Sequence, residues 1–146
     1  MQPLRVALLA DPDDDAAGEW AARTGAVLLH RGRELLALRP ASRPAVVHVR
    51  RAAAGLDRAV GACVLAGVRA VLASPRGDPP ATLPTLERRV HRWLFTSDAA
   101  ARPWRDAGIA PGRMACVVDD ADLPRALRAL WSESAAMAGT LPVWMP

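Results

Sequence analysis

Carboxylates and guanidiniums gather at a few places in this chain. Asp11, Asp13, Asp14 and Asp15 follow directly on the apolar run Val6–Ala10, and Asp119, Asp120 and Asp122 follow the run Met114–Val118. Oxygen donors grouped this way suit a hard cation such as Mg2+. They suit equally a solvated loop whose carboxylates sit in the first turn of a helix, where the helix dipole favours negative charge. Arg50, Arg51 and Arg76 stand at the ends of two further apolar runs. Guanidiniums there could grip an anionic ligand bidentately or pair with the acidic loops. Ser97 opens a helical stretch, where backbone N–H groups could hold a phosphate or carboxylate, or where Ser97 serves simply as the N-cap. His48 lies inside an apolar run and reads as a hydrogen-bonded core histidine, while His30 and His91 have no partner at metal-ligand spacing. Cys63 and Cys116 form no CxxC pair and read as buried small hydrophobes. No serine sits in a G-x-S-x-G elbow and no P-loop is present. These residues point to binding; no catalytic residue, metal ligand or cofactor is assigned from them.

Six short apolar runs must position these groups: Arg5–Ala10, Ala26–His30, Ala45–Val49, Arg69–Ala73, Trp93–Thr96 and Met114–Val118. Strands of a parallel sheet are covered on both faces and read as solid Val/Leu runs, without alternation. Helix-compatible segments lie between them: Ala16–Thr24, Arg33–Arg39, Ala52–Ala66, Leu83–Arg92, Ala99–Ala107 and Leu123–Met137. Gly25 and Gly67 read as helix stops. Strand–helix alternation predicts βαβ units with right-handed crossovers. The fold class expected is α/β: a single Rossmann-like, doubly wound domain over residues 1–138, with about six parallel strands and a tail over residues 139–146. Open α/β sheets bind ligands beyond the carboxyl ends of their strands, where Asp11, Arg50, Arg76 and Ser97 all fall.

Composition narrows the function classes. Hydrophobic residues make up 51% of the 146, so the chain has enough apolar material for one core. Its longest uncharged apolar stretch, Ala59–Val68, is too short to span a bilayer, and the N-terminus lacks the features of a secretory signal. A cytoplasmic location is the expectation. All 19 basic residues are arginine and the net charge is +4. The arginines are scattered among acidic clusters and form no stripe, which argues against nucleic-acid binding.

Two passages carry a family resemblance. Arg33-Glu34-Leu35-Leu36-Ala37-Leu38-Arg39-Pro40 followed by Pro44-Ala45-Val46-Val47-His48-Val49-Arg50 resembles the "leucine helix, proline, D-V-V-H-x-H" passage of family-4 glycosyltransferases of the GT-B fold. Arg92-Trp93-Leu94-Phe95-Thr96-Ser97-Asp98-Ala99, with Ala107–Val118 behind it, is similar to that family's "V-S-E-x … G-I-P-x-x-R-V-x-V-V-P-N-G" passage. The resemblance covers nearly the whole chain, as the N-terminal, acceptor-side half of a GT-B enzyme. It implies a glycosyltransferase-like domain that is non-catalytic alone or acts with a separate donor-domain chain, because GT-B chemistry takes place between two halves. It also implies an acceptor site: Asp11 for hydroxyl groups, Arg50 and Arg76 for anionic groups, and Ser97 with its helix N-terminus as an anion cradle. The sequence departs from the family at the first loop, where Asp11-Pro12-Asp13-Asp14-Asp15 replaces a glycine-rich turn. Four carboxylates there would repel a nucleotide diphosphate. Arg50 replaces a histidine, and Asp119-Asp120 replace Asn-Gly.

Other readings stay open. An acidic cluster after strand one suits a receiver-like regulatory domain, yet Val49–Arg50 stand where an active receiver has its aspartate, and the chain has no lysine. That leaves a pseudo-receiver. Leu123–Trp144 could serve protein interaction or a homodimer, since Trp104, Trp131 and Trp144 cluster in the last third. The basic stretch Glu87–Trp93 could rest on anionic membrane, or form a solvated arginine face.

Overall fold

The computed structural model describes residues 4–140. Strands β1 (Val6–Ala10), β2 (Val27–Leu29), β3 (Val46–Arg50), β4 (Ala70–Ala73), β5 (Arg92–Phe95) and β6 (Met114–Cys116) form one sheet in the order β2-β1-β3-β4-β5-β6. Every neighbouring pair is parallel. Six helices connect or follow the strands: α1 (Asp15–Thr24), α2 (Gly32–Ala37), α3 (Ala53–Leu65), α4 (Leu83–Glu87), α5 (Asp98–Asp106) and α6 (Leu123–Thr140). The doubly wound α/β expectation is what the chain adopts.

The solid apolar runs divide by parity, as a pleated strand requires. Ala7, Leu9, Val47, Val49, Val71, Ala73, Trp93 and Phe95 face one way, onto Leu35, Leu56, Val60, Cys63, Leu86 and Trp104 from α2 to α5. Val6, Leu8, Val46, Ala70, Leu72 and Leu94 face the other way, onto Trp20 and Ala21 of α1 and Leu123, Leu127, Trp131 and Ala135 of α6. Helices therefore cover both faces. The winding reverses between β1 and β3, which makes their carboxyl ends the topological switch point. Gly25 and Gly67, at φ 80° and 70°, end α1 and α3 in the left-handed region that a side chain disfavours.

Three expectations are corrected. The segment Leu83–Arg92 is helical only to Glu87. Val90 is drawn into the core and the His91 amide donates to the Val71 carbonyl at 2.7 Å, so the chain is already joining β4. Cys116 is exposed, because β6 is an edge strand with only one neighbour; Cys63 is buried as expected. The final helix runs on to Thr140, past the expected boundary, and Trp144 with the rest of 141–146 lies outside the described residues. No helix among the described residues is long and apolar enough to cross a membrane.

The packing of α2 on α3 has a tight point. A Cβ built on Gly32 would lie 2.6 Å from the Ala62 Cβ, closer than two carbons can approach. Gly32→Ala is expected to cost about 1–3 kcal/mol by overpacking, measured as a lowered urea midpoint. Adding Ala62→Gly should recover part of that loss, giving a favourable coupling in the double-mutant cycle.

Candidate functional site

The carboxyl ends of β1, β3 and β4 carry a network of carboxylates and guanidiniums. β1 runs out at Ala10, and a turn closed by the Asp14 amide on the Asp11 carbonyl at 3.0 Å leads into α1. Asp14 caps that helix, its carboxylate accepting from the Ala17 amide at 3.3 Å. The same carboxylate accepts from Arg50 Nε at 2.6 Å and Arg50 Nη2 at 3.4 Å, with side-chain exposures of only 5% for Asp14 and 15% for Arg50. Arg50 also lies over the Trp20 ring, its Cζ 4.1 Å from the centroid, so the guanidinium is held by a cation–π contact as well.

Asp11 accepts from three donors: the Ala52 amide at 3.0 Å, Arg51 Nη1 at 3.1 Å and Arg76 Nη2. Burial works to raise its pKa, but the Ala52 amide and the two guanidiniums outweigh it, and the carboxyl titrates below its usual 3.8. Arg51 reaches on to the His30 carbonyl, and Ala52 pairs with Arg76 beyond the ends of β3 and β4. The pairing of Arg50, Arg51 and Arg76 with the acidic loop is thus the arrangement adopted. The second acidic cluster is used the same way: Arg23 bonds the Asp119 carboxylate at 2.9 Å and the Asp120 carbonyl at 2.6 Å. Among the described residues no three His, Cys, Asp or Glu side chains come together as a metal site.

Beside this network lies a cavity of about 200 Å3, lined by Trp20, Arg50, Ser74, Pro75, Arg76, Leu94, Phe95, Thr96, Ala100 and Val117. Arg50 and Arg76 therefore share one cavity, as their positions in sequence suggest. Asp11 touches it only through Arg76. Ser97 caps α5, accepting from the Ala100 amide at 3.1 Å, and is exposed; its neighbours Thr96 and Ala100 form the wall. Trp20 was not singled out in sequence, although it both stacks on Arg50 and lines the cavity. Its buried Nε1 has no hydrogen-bond partner among the described residues. An anion with an apolar edge suits such a wall: guanidiniums on one side, Leu94, Phe95 and Val117 on the other.

Beneath the cavity His48 is fully buried. Trp131 Nε1–H donates to His48 Nδ1 at 3.2 Å, which leaves the proton on Nε2, 2.6 Å from Ser74 Oγ. Trp20 and Trp131 flank the imidazole, with ring centroids 5.8 and 6.1 Å away. Burial, with the Arg50 charge behind it, pushes the His48 pKa from 6.5 down to about 3. Cys63 is no nucleophile, because burial pushes its thiol up to about 12.

No family model, no curated protein and no solved structure matches the chain. The site's chemistry therefore rests on the geometry above.

His48 makes stability depend on pH. Between about 6.5 and about 3 the unfolded chain binds a proton that the folded chain refuses, since Nδ1 already accepts from Trp131. Stability is complete above about 6.5 and falls as the pH drops below it, by about 1.4 kcal/mol per pH unit. Burial lowers the His91 pKa too, adding in the same direction. The urea midpoint is expected to fall between pH 7 and pH 5. His48→Gln should start lower and vary less over that range, and an equally steep fall in the variant would contradict the assignment.

Proposed function

We propose that this chain is an acceptor-side module of the GT-B glycosyltransferase type. It binds a small anionic acceptor at the carboxyl edge of its sheet and does not complete glycosyl transfer alone. Transfer would need a donor-binding half, which these 146 residues do not supply. The observation that carries this reading is the 200 Å3 cavity at the ends of β3, β4 and β5, in which Arg50 and Arg76 stand over an apolar floor beside the start of α5. The two passages that resemble the family both reach this edge: the first ends at Arg50, and the second passes it at Thr96 and again at Val117.

The acidic loop after β1 fits the same division of labour. A nucleotide diphosphate is normally met by a glycine-rich turn whose backbone comes close to the phosphates. Here Asp11 and Asp14 hold the arginines that close the switch point. Asp11 and Asp14 fix the arginines facing the cavity, while the exposed Asp13 and Asp15 keep the outer side of the loop acidic and unfavourable to a donor nucleotide.

A receiver-like reading has one observation in its favour. The order β2-β1-β3-β4-β5 is the flavodoxin-like order shared by receivers, with β6 added at one edge. The chemistry opposes it, because β3 ends in Arg50, whose guanidinium is bound to Asp14. Incubation with acetyl phosphate should leave every aspartate unlabelled; a labelled aspartate would favour the receiver reading. Of the interaction reading's residues, Leu123, Leu127, Trp131 and Trp104 are buried in the chain's own core, and Trp144 lies outside the described residues.

Isothermal titration tests the main proposal. Sugar phosphates are expected to bind and nucleotide sugars are not. Arg76→Gln should weaken sugar-phosphate binding by about tenfold or more, the usual scale for one charge-assisted hydrogen bond. Tight binding of a nucleotide sugar by the isolated chain would contradict it.

A further inference from the structure

A second groove, of about 590 Å3, opens at the opposite, amino-terminal edge of the sheet, beneath β1 and β2. Its size lies within the roughly 300–1,000 Å3 range of small-molecule sites. Leu4, Val6, Val27, Leu29, Leu38 and Trp131 supply its apolar wall. Two of these are exposed: Val27 is 59% exposed on an edge strand, and Leu4 is 39% exposed just before β1. Contiguous apolar surface rimmed by polar groups is one mark of a ligand-binding groove.

The groove's charge is one-sided. Arg5 and Arg128 line it, and no acidic residue does. Each guanidinium is anchored on a backbone carbonyl, Arg5 Nη1 on Ala41 at 2.9 Å and Arg128 Nη2 on Thr24. A carbonyl fixes a guanidinium without neutralising it. Neither arginine forms an ion pair among the described residues, in contrast to Arg50, Arg51 and Arg76 at the other edge. Two fixed cations with no ion-pair partner among the described residues, beside an aliphatic wall, call for a ligand with an anionic head and an apolar body. A peptide strand is a poorer fit, since β2 offers only three residues for pairing.

We propose that this groove binds a long-chain alkyl carboxylate, its chain along the wall of Leu4, Val27, Leu29 and Trp131 and its carboxylate held by Arg5 and Arg128. The site is independent of the acceptor cavity and does not rest on the glycosyltransferase reading.

The test is titration of the full chain with decanoate, dodecanoate and tetradecanoate below their micelle concentrations, followed by heat and by tryptophan fluorescence. Affinity should rise about fourfold for each methylene that enters the groove. Dodecanoate should bind at least tenfold more tightly than dodecanol. The double variant Arg5→Gln/Arg128→Gln, at two exposed positions, should remove that advantage. Val27→Asp, which places a carboxylate in the groove at an exposed position, should weaken binding as well. Arg76→Gln, at the far edge, should leave dodecanoate binding unchanged. Absence of dodecanoate binding, equal affinity for alcohol and carboxylate, or full binding by the double variant would each overturn the proposal.

Discussion

A strand covered by helices on both faces has no side on which a charge can meet water. In this chain both faces of the central strands are closed, so ionised groups leave the sheet only at strand ends. Everything polar in the fold follows from that. Arg50 ends β3 and Asp11 directly follows β1, while Asp14, Arg51 and Arg76 stand one to four residues beyond their strands. In a twisted parallel sheet those positions converge, and the switch point between β1 and β3 brings them into contact. Bringing them together out of water would be costly if any one stayed unpaired. Each of these five groups has a partner of opposite charge.

The network ties the carboxylates of this edge to the arginines and backbone around them. Asp14 serves one helix cap and one guanidinium at once, and Asp11 serves one amide and two guanidiniums. Removing one member of a pair buried like Asp14 and Arg50 typically costs about 3–5 kcal/mol, because the other is left charged and dry. The carboxylates are committed to structure. The arginines are committed in part: Arg50 is fixed by Asp14 and Trp20 and still borders the cavity, and Arg76 is held at one nitrogen. A guanidinium fixed in advance loses little freedom on gripping an anion. His48, held neutral beneath it, adds no charge of its own.

How much of this was legible in the sequence depended on range. The six strands were legible because two-sided burial writes itself as an uninterrupted apolar run, and their observed ends differ by only one or two residues. The helix stops at Gly25 and Gly67 were legible because only a left-handed residue fits there. Leu83–Arg92 was misread because Arg88 and Arg89 favour a helix locally, whereas the pull of β4 on His91 is a tertiary effect. Cys116 was misread because an apolar run does not say whether its strand is central or at an edge. The arginine–carboxylate pairs were foreseeable as a class, but choosing Asp14 for Arg50 and Asp11 for Arg76 required the strand order. Trp20 gave no local signal, since its partner lies thirty residues away. The amino-edge groove left no trace in any one segment, because its walls come from β1, β2, the stretch Leu38–Pro44 and α6.

The central claim is that the cavity beside the arginine network takes an anion while the acidic loop stays closed. Amide and indole NMR shifts recorded during titration with a sugar phosphate test it most directly. The account predicts that perturbed signals cluster at Arg50, Ser74, Arg76, Thr96 and Ala100, together with the Trp20 indole N–H. Shifts centred on Asp13 and Asp15, or none at the cavity, would contradict it.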